Sequence, residues 1–395
     1  MTRRMPDEEK PYRLYRGGRV KGKVPAPPRP GRPSRTGDGR YPGPGPIRPP
    51  RRRNWRRWIL VGTGGLLVLL VLWAFTSWLA FRNGVKSANG RLDPGTRAVL
   101  DDQSGLLFSH ATTVLLLGTD HNRTGGREGD RHSDSIMLVH TDPGRHRLSY
   151  LSVPRDLLVE IPGSGRQKVT AAMQIGGPAL ALKTVRAFTG LPINHVVIVD
   201  FADFKDLIDS IGGVDVVVPK RILSNRFDCP YATAARCQEW KGWRFAKGKQ
   251  HMDGRRALIY SRIRENRLDP SETDFTRAER QQRVLEAIGA KLTGFGTLVK
   301  LPFVGDDLLK PLSTDLSAGQ FLQLGWLKFR APAGRALHCR LGGQGTTLGG
   351  QSVIEPSEDN RQVIGMILGV TAPQPPAPGS GLYGPGCTIG DRSLE

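Results

Sequence analysis

The sequence predicts an α/β fold, a sandwich around a central mixed β-sheet, preceded by one transmembrane helix and a disordered basic tail. Three observations lead to this prediction. Apolar runs rich in β-forming residues alternate with helical patterns from residue 112 onward, a stretch without charge (58–81) precedes them, and a Pro-, Gly- and Arg-rich segment comes first. Strands that alternate with helices favour a sheet with helices packed on it.

Much of the positive charge lies at the start of the chain. The 395 residues have a formal net charge of +22, and residues 1–57 contain runs such as GKVPAPPRPGRPSR and RRRNWRR. A segment with so few aliphatic residues cannot bury enough apolar surface to fold, so residues 1–57 are predicted to be disordered. Such a tail could bind nucleic acid or anionic lipid, but a topology signal with a solvated linker is favoured. It has no helix-turn-helix pattern and no interleaved stacking aromatics, so nucleic acid is not an expected partner.

The segment WILVGTGGLLVLLVLWAFTSWLAF (58–81) is long enough to span a hydrocarbon layer of about 30 Å. A cleaved signal peptide is the alternative, but the apolar run is too long for one and the tail before it too extended. The basic block before the helix places the amino terminus in the cytoplasm and the chain from Arg82 onward outside the membrane. We therefore expect a single-pass membrane protein with an extracytoplasmic domain.

All four cysteines follow this helix: Cys229, Cys237, Cys339 and Cys387. An even number in an oxidising compartment favours disulfides. Three connectivities are possible, and pairing Cys229 with Cys237 and Cys339 with Cys387 is the simplest.

Residues 82–111 are predicted to be a connector, 112–371 the folded domain, and 372–395 a flexible tail. Strands are predicted at 112–120, 134–142, 146–156, 193–201 and 214–219, with the second and third joined by a turn at 142–144. Helices are predicted at 176–190, 202–213, 274–294 and near 317–329 and 357–368, and at the start of 253–264. Residues 223–250 are predicted to be a long external loop.

The stretch SRIRENRLDPSETDFTRAERQQR (261–283) contains six arginines. Arg277 and Gln281 are four residues apart and share a helix face, whereas Arg262 and Arg264 alternate as in an extended segment. Solvated ion pairs are one interpretation of this run. Binding of phosphate is the other, because guanidinium groups form paired charged hydrogen bonds and keep their proton.

Three further charged residues lie at ends of predicted strands. Asp120 ends one strand and Asp134 begins the next, so a shared sheet edge would bring the two carboxylates together; oxygen ligands of this kind suit Mg²⁺. Arg155 follows the neighbouring strand. Each could equally be a solvated charge at a strand end.

The motifs LLLGTD, HSDSIMLV, LSVPRD, KGKQHMDGRRALIYSRIR and DFTRAERQQ, in this order, resemble the LytR-CpsA-Psr (LCP) family of bacterial cell-envelope proteins. The resemblance covers about residues 112–295 and continues more weakly through QSVIEPSEDNRQVIGMIL. It implies an α/β/α sandwich that holds a polyprenyl pyrophosphate and transfers a glycan phosphate from this carrier to a cell-wall hydroxyl, usually on peptidoglycan.

The same resemblance implies residue roles. Asp120 and Asp134 match the aspartates associated with Mg²⁺ (or Mn²⁺). The diphosphate-binding set corresponds to Arg155, Lys168, Arg262, Arg264, Arg277 and Gln281. Arg155 would also stabilise the reacting phosphate, and either Asp120 or Asp274 could take the proton of the attacking hydroxyl. Hydrolysis of the polyprenyl pyrophosphate, or a membrane-bound envelope or transcription regulator without catalysis, remain the alternatives.

Overall fold

The computed structural model describes residues 55–121, 131–231, 233–270, 272, 274–294, 296–297, 299–300, 309–380 and 383–390. For some of these residues the structure describes the backbone only, not the side chain: 120, 121, 131–134, 201, 202, 227, 274 and 275. The predicted disordered tail, 1–57, lies almost wholly outside the described residues. Residues 60–395 group into one unit, and residues 1–59 form the other.

The helices are α1 (Trp55–Arg91), α2 (Pro94–Arg97), α3 (Ala171–Thr189), α4 (Phe201–Ser210), α5 (Ala234–Glu239), α6 (Gly254–Arg262), α7 (Asp274–Leu292), α8 (Ala318–Arg330) and α9 (Asn360–Leu368). The strands are β1 (Thr112–His121), β2 (Arg131–Asp142), β3 (Arg147–Val153), β4 (Leu158–Ile161), β5 (Gly165–Lys168), β6 (His195–Asp200), β7 (Val214–Val218), β8 (Ile222–Leu223), β9 (Arg244–Phe245), β10 (Gly248–Met252), β11 (Leu312–Thr314), β12 (Leu337–Arg340), β13 (Gly343–Leu348), β14 (Gln351–Pro356) and β15 (Gly386–Ile389).

α1 contains the predicted membrane segment and is long and apolar enough to cross a bilayer. It extends to Arg91, beyond the predicted end at residue 81. The reason is a buried stripe: Phe81, Val85 and Ala88 recur at helical spacing and pack into the domain core. The first ten residues of the predicted connector are therefore helical.

The central sheet has seven strands in the order β11-β6-β1-β2-β3-β12-β15. β1 is parallel to β6 and β3 is parallel to β12, while the other neighbours are antiparallel. The predicted hairpin of the second and third strands is confirmed. The sheet is mixed, as predicted.

Helices cover both faces of this sheet because its strands alternate apolar residues between two cores. Leu115 and Leu117 of β1 pack with α3 and α9 on one face. On the other face Val114 packs with α4, α6 and α7, the last through Val284 and Ile288. The predicted α/β/α sandwich is confirmed.

Three regions differ from the sequence prediction. α3 begins at Ala171, before the predicted start at residue 176, and is interrupted at Gly177, which has a φ of +63° and precedes Pro178. The predicted loop 223–250 contains α5, β9 and parts of β8 and β10. β15 lies in the predicted flexible tail but pairs with β12 in the sheet, so this part of the tail belongs to the fold.

Both predicted disulfides are present. Cys229 is bonded to Cys237 within the 223–250 region. Cys339 of β12 is bonded to Cys387 of β15, two residues that also face each other in the strand register. The second disulfide therefore fixes the last strand to the sheet.

Candidate functional site

A cavity lies at one edge of the sheet, where β3 and β12 end, β2 begins, and the first turns of α7 pass over them. The described residues that line it are Ser135, Ile136, Ser152, Val153, Pro154, Arg155, Asp156, Arg277, Ala278, Gln281, Arg340 and Ile354. Since β3 and β12 are parallel, their carboxyl ends meet here. The sequence-predicted residues Arg155, Arg277 and Gln281 are thus brought together.

α7 contributes two of these side chains from one face. Arg277 is only 9% exposed, and Gln281 lies one turn later. Ser135 Oγ donates to Gln281 Oε1 at 3.0 Å, and Gln281 Nε2 donates to the carbonyl oxygen of Ser261 at 3.5 Å. These contacts link the helix to β2 and α6, so the position of Gln281 is fixed before any ligand binds.

Arg155 and Lys168 share one carboxylate. Arg155 Nε donates to Asp156 Oδ2 at 3.3 Å, and Lys168 Nζ donates to Asp156 Oδ1 at 2.9 Å. Asp156 thus accepts hydrogen bonds from both cations beside the cavity. Lys168 therefore lies beside Arg155, but it is not among the described residues that line the cavity.

Arg262 and Arg264 lie on either side of Ile263, at and just beyond the end of α6, and both side chains are exposed. The buried Arg280 of α7 donates from Nη2 to the carbonyl oxygen of Ile263. Neither Arg262 nor Arg264 is among the described residues lining the cavity. The structure therefore holds the backbone between them without bringing their side chains to the same wall as Arg277.

A partly buried carboxyl group lies within electrostatic reach of the same arginines. Burial raises the pKa of Asp228 to about 6, although Arg264, Arg280 and Arg262 act to lower it. Asp228 immediately precedes the disulfide-bonded Cys229. The segment closed by the first disulfide is thus a neighbour of the exposed arginine pair.

Arg340, like Asp156, is a charged site-lining residue that sequence reasoning missed. It ends β12, opposite Ser152 of β3, and its Nε donates to the carbonyl oxygen of Gly384 at 2.8 Å. Burial lowers the pKa of Arg340, and Glu279 acts against this. Its only signal in the sequence is its neighbour Cys339, whose disulfide fixes the strand.

The three predicted aspartates are placed by the backbone alone. Asp120 pairs with His132, and Gly118 pairs with Ser135, with an irregularity between Gly118 and Thr119. Asp134 therefore lies in adjacent β2 at the same end of the ladder as Asp120, next to the cavity-lining Ser135. Asp274 is the first residue of α7.

The side chains of all three aspartates lie outside the described residues. Among the side chains that the structure describes, no cluster of three His, Cys, Asp or Glu residues could hold a metal. Carboxylate oxygens such as those of Asp120 and Asp134 are the donors that Mg²⁺ prefers. Their roles as ligands stay predictions.

Comparison with known proteins decides the family. The LytR_cpsA_psr family model matches residues 85–365. The chain belongs to this family. The LytR_cpsA_psr match begins within α1, in agreement with the packing of that helix against the domain. The predicted resemblance is confirmed.

Relatives in this family have named activities and ligands. The polyisoprenyl-teichoic acid–peptidoglycan teichoic acid transferase TagV of Bacillus subtilis strain 168 is 28% identical over 276 residues, which cover 69% of this chain and 67% of TagV. A structure of TagT bound to LIIa-WTA superposes with a TM-score of 0.53 at 25% identity, covering 68% of this chain and 94% of that one. A structure of the family protein YwtF (TagT) with bound octaprenyl pyrophosphate lipid has a TM-score of 0.50 at 25% identity, covering 68% and 92%.

Proposed function

We propose that the protein is a membrane-anchored phosphotransferase that moves a glycan phosphate from a polyprenyl-pyrophosphate carrier to a peptidoglycan hydroxyl. One observation supports this most strongly. Arg155, Arg277, Gln281 and Arg340 line a single cavity in a chain whose family includes a protein with bound octaprenyl pyrophosphate.

The arginines of the cavity suit a diphosphate. Among the described residues that line the cavity, three are arginines and one, Asp156, is a carboxylate. A guanidinium group binds phosphate oxygens through paired, charge-assisted hydrogen bonds. Arg262, Arg264 and Lys168 would contact oxygens at the open side.

The transfer itself requires little covalent work from the protein. The oxygen of the acceptor hydroxyl forms a bond to the glycan-proximal phosphorus, and the bond from that phosphorus to the bridging oxygen breaks. Polyprenyl phosphate leaves with the bond electrons, and the hydroxyl proton passes to a carboxylate, Asp120 or Asp274. Positioning and electrostatic stabilisation of the phosphate oxygens supply most of the rate in such reactions.

Asp120 and Asp134 would hold the divalent cation. When bound, Mg²⁺ or Mn²⁺ supplies positive charge next to the phosphate oxygens. Arg155, which follows β3 at the same end of the sheet, and Arg277 of α7 would hold the remaining oxygens.

The predicted membrane topology determines on which side of the bilayer the reaction takes place. α1 anchors the chain in the bacterial cell membrane, with the amino terminus in the cytoplasm and the catalytic domain on the outer side. The lipid carrier and the peptidoglycan acceptor would then meet the domain on the same side of the bilayer.

The test uses the full-length protein in a lipid nanodisc with Mg²⁺, a lipid-linked glycan phosphate and peptidoglycan. We expect glycan on the peptidoglycan and release of polyprenyl phosphate. Arg277→Gln should lose transfer because it removes a charge from the cavity wall, whereas Arg335→Gln, at an exposed position, should not.

Two outcomes would contradict the proposal. Transfer that is absent from the folded wild type, or equal in Arg277→Gln, removes the role assigned to the cavity. Release of polyprenyl phosphate without any need for acceptor would instead identify a hydrolase.

A further inference from the structure

The domain has an exposed apolar patch whose residues are not among the described residues that line the cavity. Its members are large side chains with about half or more of their surface exposed: Leu106, Phe108, Leu322, Trp326 and Phe329. The last three recur at spacings of four and three residues on α8, and so form one stripe of that helix. Phe329 is 71% exposed and Trp326 is 52% exposed. Single exposed apolar residues are ordinary, but a contiguous group marks an interaction surface.

The two segments that form the apolar patch, residues 106–108 and α8, are held together by a hydrogen bond. The backbone N–H of Leu107 donates to Gln323 Oε1 at 2.7 Å, and the Leu107 side chain is fully buried. The rings of Trp326 and Phe329 stack with their centroids 5.7 Å apart. Residues from distant parts of the chain thus present their apolar side chains in a fixed arrangement.

The helix that carries most of the patch packs directly against α1. The ring of Phe321 in α8 meets the ring of Phe81 edge to face, with centroids 6.1 Å apart. A second contact lies further back along α1, where Trp73 Nε1 donates to the carbonyl oxygen of Val299 at 3.2 Å. Trp73 precedes Phe81 by eight residues, or about 12 Å of helix.

Both contacts fall within the uncharged segment 58–81. A bilayer that takes in this segment extends about 30 Å along the helix axis. Because Val299 contacts Trp73, this part of the domain lies at the same height along the helix axis as the apolar segment. The domain surface beside Trp73 and Phe81 must therefore meet the boundary of that bilayer. Val299 is itself 46% exposed.

We propose that the apolar patch rests in the headgroup layer of the same bilayer that α1 spans. Its chemistry fits this environment. Tryptophan and phenylalanine prefer the boundary between headgroups and acyl chains, and basic residues beside them attract anionic lipids. The exposed Arg330 ends α8, and the sequence of α8 contains no acidic residue. The patch and α1 together hold the domain on the membrane at two places.

This docking holds the domain in one orientation to the membrane surface. The proposal requires that α1 spans the bilayer, but it does not require the proposed reaction. A second copy of the chain or another protein could also cover an apolar helix face. The experiment below distinguishes these occupants from lipid, because each nanodisc holds one chain.

The experiment measures tryptophan fluorescence of the full-length protein in nanodiscs of phosphatidylcholine and phosphatidylglycerol. Lipids brominated on the acyl chain near the headgroup quench tryptophans that they contact. Wild type is compared with Trp326→Phe, which keeps an aromatic ring at the patch, and with Trp240→Phe, which alters the 223–250 region instead.

Trp326→Phe should remove part of the emission that brominated lipids quench, and Trp240→Phe should remove only emission that they do not quench. A second variant, Leu322→Ser with Phe329→Ser, should lower the quenching of Trp326 while the melting temperature stays that of wild type. If the quenched emission is the same in Trp326→Phe and wild type, the patch does not touch lipid and the proposal is overturned.

Discussion

A buried ion pair holds the backbone between Arg262 and Arg264, and its removal gives a sharp test of how the arginine segment is positioned. Arg280 and Glu272 have side chains only 3% and 2% exposed, and Arg280 Nη1 lies 2.8 Å from Glu272 Oε2. Arg280 Nη2 also donates to the carbonyl oxygen of Ile263. Burial lowers the pKa of Arg280. Arg280→Met removes the charge and both contacts but keeps much of the side-chain volume.

The stability that Arg280→Met loses depends on the partners that Glu272 keeps in this variant. Breaking a buried ion pair typically costs about 3–5 kcal/mol, because the remaining charge stays buried. Here Glu272 keeps Asn266 as a donor at 3.1 Å and the half-exposed Lys220 at 3.3 Å, so we expect the lower end. At about 2–4 °C per kcal/mol for a domain of this size, the melting temperature should fall by about 6–12 °C.

Binding should fall for a separate reason. The carbonyl oxygen of Ile263 loses its buried donor in Arg280→Met, so the segment that carries Arg262 and Arg264 is no longer held against α7. Affinity for farnesyl pyrophosphate, a short soluble analogue of the carrier, should therefore fall by calorimetric titration of the full-length protein.

A double variant separates the two effects. Glu272→Met combined with Arg280→Met replaces both charges by apolar groups and should recover most of the stability. It should not recover the binding, because the Ile263 carbonyl still lacks its donor. If Arg280→Met melts and binds like wild type, the ion pair does not position the segment and the reasoning is refuted.

Three other predictions concern the cavity and its surroundings. Arg340→Gln should weaken farnesyl pyrophosphate binding about 10- to 100-fold, since a hydrogen bond to a charged group contributes about 1.5–3 kcal/mol, and Arg335→Gln should not; equal affinities would remove Arg340 from the site. Because burial raises the pKa of Asp228 to about 6, the folded state binds a proton more readily than the unfolded state between roughly pH 4 and 6. Stability should fall as the pH rises through this window, and the melting temperature of Asp228→Asn should lack that fall. A chelator should abolish glycan transfer and Mg²⁺ or Mn²⁺ restore it, whereas Asp120→Asn should not respond to added metal; undiminished transfer in the chelator would exclude a metal role.

The long elements could be predicted from the sequence because the pattern of apolar residues that buries them is visible there. β1, β2 and β3 have continuous or alternating apolar residues, and α7 carries its buried stripe of Val284 and Ile288 at helical spacing. The short strands could not be predicted. β5, with the sequence GRQK, has no apolar residue, and β15 is a strand only because β12 and a disulfide hold it.

Some residues of the candidate site could be predicted from the sequence, and others could not. Arg277 and Gln281 could be paired from their spacing on one helix, and Arg155 could be placed at a strand end. Arg340 could not be found, because it approaches the cavity from β12, whose place beside β3 depends on long-range pairing. The structural role of Arg280 was also hidden, since its partner Glu272 precedes α7 in a segment without periodic pattern.

The most direct test of the central claim is to identify the lipid that co-purifies with the full-length protein from bacterial membranes. We predict that mass spectrometry finds a polyprenyl chain ending in phosphate or pyrophosphate on the wild type, and little or none on the Arg155→Gln, Arg277→Gln double variant. Folded wild type without any isoprenoid, or equal amounts on both proteins, would contradict the account.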